Sequence, residues 1–167
     1  MHRPAWLASF VLALLAAGAS GADESPQSST VIGALNQRLA QGSAALEAGR
    51  YEEGVRLSLE GLDDIASRRD LAAGHANLCA GYAALKRFDA ALPHCNRSIE
   101  LDGNNWRAFN NRAAVFVGLQ QFDLAMTDVN TGLAMAPDSP ILRKSAEVVK
   151  EHRDAARRDK RRRPVRA

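Results

Sequence analysis

Four residues are of the types that bind metals or exchange electrons: His75, Cys79, His94 and Cys95. Thiolate and imidazole are the usual zinc donors, yet neither the His75/Cys79 step nor the adjacent His94-Cys95 pair follows a zinc-ligand spacing. Asp102-Gly103-Asn104-Asn105 has the outline of a calcium loop but lacks the alternating acidic ligands and the closing glutamate, so it reads as a turn. Asn96-Arg97-Ser98 matches a glycosylation acceptor but falls in a segment that reads as helix. The chain has no glycine loop to cradle a phosphate, no metalloprotease helix pair and no serine in a nucleophile elbow. These residues name no reaction, and the expectation is a protein without catalytic residues, cofactor or resident metal.

Function must then reside in a surface, and a repeat sets that surface. KRFDAALPHCNRSIELDGNN (86–105) and QQFDLAMTDVNTGLAMAPDS (120–139) nearly superimpose, with Phe88 and Phe122 offset by 34 residues. A weaker copy, GRYEEGVRLSLEGL (49–62), places Tyr51 37 residues before Phe88. Self-similarity at this period marks a stack of helical hairpins, a scaffold that offers a surface. Low aromatic content, 5%, and abundant alanine suit closely packed helices and not a sheet.

The two ends of the chain differ from the body. Residues 1–22 carry a short basic start, an apolar run from Trp6 to Ala17 and small residues after it. The run falls short of the about 20 apolar residues that span a bilayer, so it reads as a cleaved secretory signal. No other stretch is apolar enough to cross a membrane. Residues 23–30 read as a disordered polar linker. About 145 residues remain, enough for one domain with its own core. From Lys150 onward nine Lys or Arg face three acidic residues, whereas the whole chain carries only +3. This tail reads as a solvated helix end or as a region attracted to an anionic lipid or polysaccharide surface. It holds no aromatic side chains to stack on bases, which argues against nucleic acid.

The repeated segments resemble the tetratricopeptide repeat family over about residues 35–139. The resemblance implies an all-α superhelix of three antiparallel hairpins (35–68, 72–105 and 106–139) and a capping helix over 140–158. The whole domain would cover 31–158, with a disordered basic tail over 159–167. In this family small residues sit where paired helices approach most closely. The matching positions are Gly42, Gly54 and Gly61; Cys79, Ala91 and Ser98; and Ala113, Ala125 and Gly132. Only small side chains let helix axes come within about 8 Å. Tyr51, Phe88 and Phe122 open the second helices, and the inter-repeat turns fall at Ala66, Gly103 and Pro137. The first copy has Arg38, Gln41 and Ala45 where large apolar residues are expected, which fits a terminal repeat. Pro93 requires its helix to begin near Asp89, so that the proline falls in the first turn. Ser139 and Pro140 read as the cap and first residue of the closing helix.

With the second hairpin turning near Arg87, Cys79 and Cys95 lie at the same height on antiparallel helices. Three readings follow: a disulfide, two buried thiols, or a metal site shared with His75 and His94. The resemblance also implies a concave groove lined by the first helices, in which a partner protein or extended peptide lies. The residues carried onto it are Asn36, Leu39, Ser43 and Glu47; Ala73, Ala76, Asn77 and Ala80; and Arg107, Asn110, Asn111, Ala114 and Val117. Asn77, Asn110 and Asn111 would grip peptide main chain, and Arg107 would take a carboxylate. A subgroup of the family clamps acidic chaperone C-termini. Here Leu39 and Ser43 replace the lysine and asparagine of its first repeat and Asn111 replaces an arginine, while Asn77 and Arg107 fit. The expectation is a periplasmic or secreted adaptor that binds protein.

Overall fold

A computed structural model of the chain describes residues 34–63 and 67–162, with only the helical backbone for 34–36. The expected signal segment 1–22, the linker 23–30, the turn residue Ala66 and residues 163–167 lie outside that description. The described residues form seven α-helices: α1 (Ala34–Glu47), α2 (Tyr51–Leu62), α3 (Arg68–Ala84), α4 (Phe88–Leu101), α5 (Trp106–Gly118), α6 (Phe122–Met135) and α7 (Pro140–Arg162). Each odd helix packs against the even helix that follows it, and α1, α3 and α5 also touch in sequence. The result is a superhelix of three hairpins closed by α7.

Local chemistry explains where the helices begin. Ser67 Oγ accepts from the Asp70 N–H at 3.4 Å, and Asp70 itself complements the positive end of α3. Asn105 Oδ1 accepts from the Arg107 N–H at 3.1 Å to start α5. Ser139 Oγ accepts from the Leu142 N–H at 3.4 Å, with Pro140 as the first residue of α7. Pro93 is placed otherwise than expected: α4 begins at Phe88, which puts the proline in the second turn. Pro93 is exposed there, so the Asp89 carbonyl that loses its helical donor faces water. The closing helix also runs past 158 to Arg162, because no breaker precedes Pro164 and basic residues favour a helix C-terminus.

The three turns inside the hairpins share one geometry. Gly49, Lys86 and Gln120 adopt φ of 76°, 58° and 61°. The following N–H groups reach back five residues: Arg50 to the Ala45 carbonyl at 2.9 Å, Arg87 to Tyr82 at 2.8 Å and Gln121 to Phe116 at 2.8 Å. This is the Schellman arrangement, in which a left-handed residue satisfies the carbonyls that a helix end leaves open. Glycine meets the requirement without steric cost, whereas lysine and glutamine incur it.

All nine small positions are buried, and Gly132 packs against Leu142 of α7. A Cβ on Gly54 would lie 2.5 Å from Leu46 Cδ2, so a larger residue would force α1 and α2 apart. Cys79, Ala83, Ala91 and Cys95 of the second hairpin form a core with Val115 of α5, backed by Tyr82, Phe88 and Leu92. In the third, Ala113, Phe116, Val117, Ala125 and Val129 pack beneath Val149 of α7. Arg112 ties α5 to α6 and α4: its Nε and Nη2 donate to both oxygens of the buried Asp128 at 2.8 and 2.7 Å, and Nη1 donates to Asn96 Oδ1 at 2.9 Å. Its guanidinium lies 5.6 Å from the Phe116 ring centroid. A bidentate charged pair with this burial fixes orientation as well as distance.

Cys79 and Cys95 are joined in a disulfide, with Cα atoms 4.9 Å apart and both residues buried. The sulfurs are therefore not available as thiolate donors, which removes the metal and free-thiol readings of this pair. Closing a loop of sequence separation 16 adds about 3 kcal/mol in the chain-entropy picture. Replacing both cysteines with alanine is expected to lower unfolding stability by about that amount, measured by urea denaturation against the oxidised parent. Lys86→Gly is expected to act oppositely: relief of the left-handed strain, partly offset by unfolded-state entropy, should add about 0.5–1 kcal/mol and raise the melting temperature.

Candidate functional site

Because α1, α3 and α5 are the first helices of successive hairpins, they lie side by side and line the concave face. The groove there encloses about 220 Å³ and is walled by Ser43, Leu46 and Glu47 of α1, by Ala73, Ala76, Asn77 and Ala80 of α3, and by Trp106, Arg107, Asn110 and Asn111 of α5, with Asn105 and Ile141 at one end. That volume is below the roughly 300–1,000 Å³ of pockets for drug-sized molecules. Its openness along the superhelix suits an extended chain that leaves side chains in shallow hollows. A second hollow beside it is lined by Leu39, Ala40, Ser43, Asp70, Ala73 and Asn77.

The expected contact residues have different surroundings. Arg107 is exposed, and its guanidinium lies 4.5 Å from the Trp106 ring centroid, a cation–π contact that holds the charge at the groove's edge. Asn111 lines the groove, and among the described residues its side chain has no hydrogen-bond partner. Asn77 Nδ2 donates to the Leu39 carbonyl at 3.1 Å, bridging two repeats while its oxygen stays on the groove wall. Asn110 is only 2% exposed, and its Oδ1 accepts from Ser145 Oγ of α7 at 2.8 Å. That bond secures the capping helix and leaves Asn110 in the floor. Ser43 Oγ donates to Glu47 Oε1 at 3.4 Å. Asn36 falls in α1, and its side chain lies outside the described residues.

Ala114 and Val117 are corrections. Both are buried, and Val117 packs with Phe116 and Val149, because α7 covers that side of α5. Sequence reading also missed Trp106, Leu46 and Ile141 as wall residues. The signal for Trp106 was present: an aromatic at the first position of a helix, directly before the arginine assigned to a carboxylate.

No protein-family model matches the chain. The first TPR domain of human RPAP3 superimposes with a TM-score of 0.65 at 21% identity, covering 72% of this chain and 93% of that domain. The second TPR domain of human RPAP3, solved in complex with the HSP70 peptide SGPTIEEVD, gives 0.60 at 23% identity over 70% of this chain and 94% of that one. The chain has the tetratricopeptide-repeat fold. Among curated proteins, the peptidyl-prolyl cis-trans isomerase FKBP4 of Bos taurus is 34% identical over 67 residues, 40% of this chain but only 15% of that protein.

Beside the groove-forming face of the tetratricopeptide-repeat array, the second hairpin carries a polar pair that was legible only as a metal candidate. His75 Nδ1 and His94 Nδ1 are 3.0 Å apart, and the His94 ring stacks on Tyr82. One imidazole must donate to the other, so the contact exists only while at least one ring is neutral. Among the described residues no cluster of three or more candidate ligands could hold a metal ion. Burial lowers the pKa of both, and for His75 the charges of His94 and Arg97 lower it further. His152 is lowered by burial in the same direction, with Glu151 opposing. The unfolded chain thus takes up these protons at higher pH than the fold does. Stability is complete above about pH 6.5 and is lost as pH falls toward the depressed folded values. Melting temperature is expected to drop between pH 7.5 and pH 5, and the drop should shrink in the His75→Gln/His94→Gln variant, followed by circular dichroism.

Proposed function

We propose that the protein is a non-catalytic adaptor that binds an extended segment of a partner protein in its concave groove, in the cell envelope or secreted. The observation that carries this reading is the convergence of Asn77, Asn111 and the Trp106-supported Arg107 on one open groove from parallel helices. Asparagine side chains both donate and accept, which is what exposed peptide main chain requires, and a guanidinium pairs with a carboxylate in a fork. A domain of the same fold, the second TPR domain of human RPAP3, was solved in complex with the HSP70 peptide SGPTIEEVD, which supports a peptide-binding role. The chain departs from an acidic-tail clamp at Leu39, Ser43 and Asn111, so the partner is not read as a chaperone tail. An exported location is supported by the buried Cys79–Cys95 disulfide, since such bonds persist in oxidising compartments, and by the apolar N-terminal run.

The helical extension of α7, with Arg157, Arg158, Lys160, Arg161 and Arg162 exposed, favours a second reading: attachment to an anionic lipid or polysaccharide surface. The two separate by experiment. A photo-crosslinking residue placed at position 111 in living cells is expected to capture a discrete protein, and Arg107→Ala should weaken its binding about tenfold, the loss of one charge-assisted contact. Charge reversal at Arg161 and Arg162 should leave that binding unchanged. Capture abolished by the tail variant alone, together with steep salt sensitivity, would support the surface reading instead.

A further inference from the structure

We propose that the groove selects an extended peptide carrying a basic side chain about eight residues before a carboxylate, and that it disfavours an acidic side chain at that place. The inference rests on the adaptor reading above and adds the chemistry of the partner. Two charged side chains wall the groove, and they have opposite sign: Glu47 at the end of α1 and Arg107 at the start of α5. The adjoining hollow holds Asp70 at the start of α3, at the opposite end of the parallel helices from Glu47. Within the groove itself one end is anionic and the other cationic.

The polarity sits on the helices themselves. Glu47 is exposed and accepts from the Ser43 hydroxyl, which leaves its charge unneutralised. Arg107 rests on the Trp106 ring, which holds it in place without neutralising it. From α1 to α5 is two helix steps of roughly 9–10 Å, about 20 Å sideways, and the run from Arg107 to the end of α5 at Gly118 adds roughly 16 Å along the axis, about 26 Å in all. An extended peptide covers that in about eight residues at ~3.3 Å each. An acidic side chain reaching the end of α1 would meet Glu47, and like-charge juxtaposition excludes wrong partners more strongly than it tunes right ones. A lysine or arginine at that place gains that attraction, and the alanine-rich wall of α3 between the poles has room for its aliphatic stem.

The test uses the full chain and two fluorescently labelled peptides, SEGSTIAAVD and SKGSTIAAVD, which differ only in the residue eight places before the C-terminus. The lysine peptide is expected to bind about fivefold more tightly than its glutamate counterpart at low salt, within the range of exposed ion pairs. Glu47→Gln should shrink the preference and Glu47→Lys should reverse it, while melting temperature stays unchanged because the position is exposed. Equal affinities, a preference for the glutamate peptide, or a preference that survives Glu47→Lys would overturn the proposal while leaving the groove reading intact. If no peptide binds at millimolar concentration, or if Arg107→Ala alters none of the affinities, the groove reading fails and this inference with it.

Discussion

Backbone proximity inside each hairpin is the constraint on which the rest of the structure depends. Nine buried small residues set it, and each hairpin solves the same problem with different side chains: three glycines, then cysteine, alanine and serine, then two alanines and a glycine. Helices that nestle this closely leave room for neighbouring pairs to stack, so α1, α3 and α5 are brought side by side to form a wall. In the second hairpin the proximity also permits chemistry, because two cysteines facing each other across so narrow a gap can be bridged. The least intrinsically helical hairpin is the first, with glycines at all three contacts, each costing about 1 kcal/mol relative to alanine. It lies at the array's terminus, and the disulfide reinforces its neighbour.

The groove and the core compete for the same helices. A helix presents several faces, and α5 serves four: it meets α6 through Ala113, α4 through Arg112, α7 through Asn110 and Val117, and the groove through Arg107 and Asn111. The capping helix thus decides which α5 residues remain accessible. Ser145 withdraws Asn110 from the surface, and Val149 withdraws Val117. What remains is a short polar stripe at the start of α5 beside a tryptophan, with Glu47 at the far end of the trough. This unequal distribution of charge gives an otherwise alanine-rich surface its polarity.

Errors in reading the sequence came from long-range packing. Pro93 was assigned to a first turn because an interior proline is costly, but its turn faces water and the open carbonyl is hydrated. The capping helix was expected over 140–158 from the family resemblance, whereas basic side chains favour a helix C-terminus and the helix runs on to Arg162. Lys86 and Gln120 gave no local sign of their left-handed backbone, while Gly49 did. His75 and His94 lie 19 residues apart in sequence, and only their contact across the hairpin makes them a pair. Arg112 and Asp128 are likewise 16 apart and meet only once α5 and α6 are packed.

By itself the sequence determined the repeat, its period, the all-helical architecture, the small residues between paired helices and the residues that begin α5 and α7. Each of these is local or periodic, carried by side-chain size and capping chemistry within a few turns of helix. Tertiary structure alone decided which of the candidate asparagines face the groove, that Ala114 and Val117 belong to the core, that Trp106 supports Arg107, and that the groove carries opposite charges at its two ends. Those outcomes depend on how one helix covers another. The physical reason is that burial and electrostatic surroundings are properties of neighbours distant in the chain, and no spacing within a single helix encodes them.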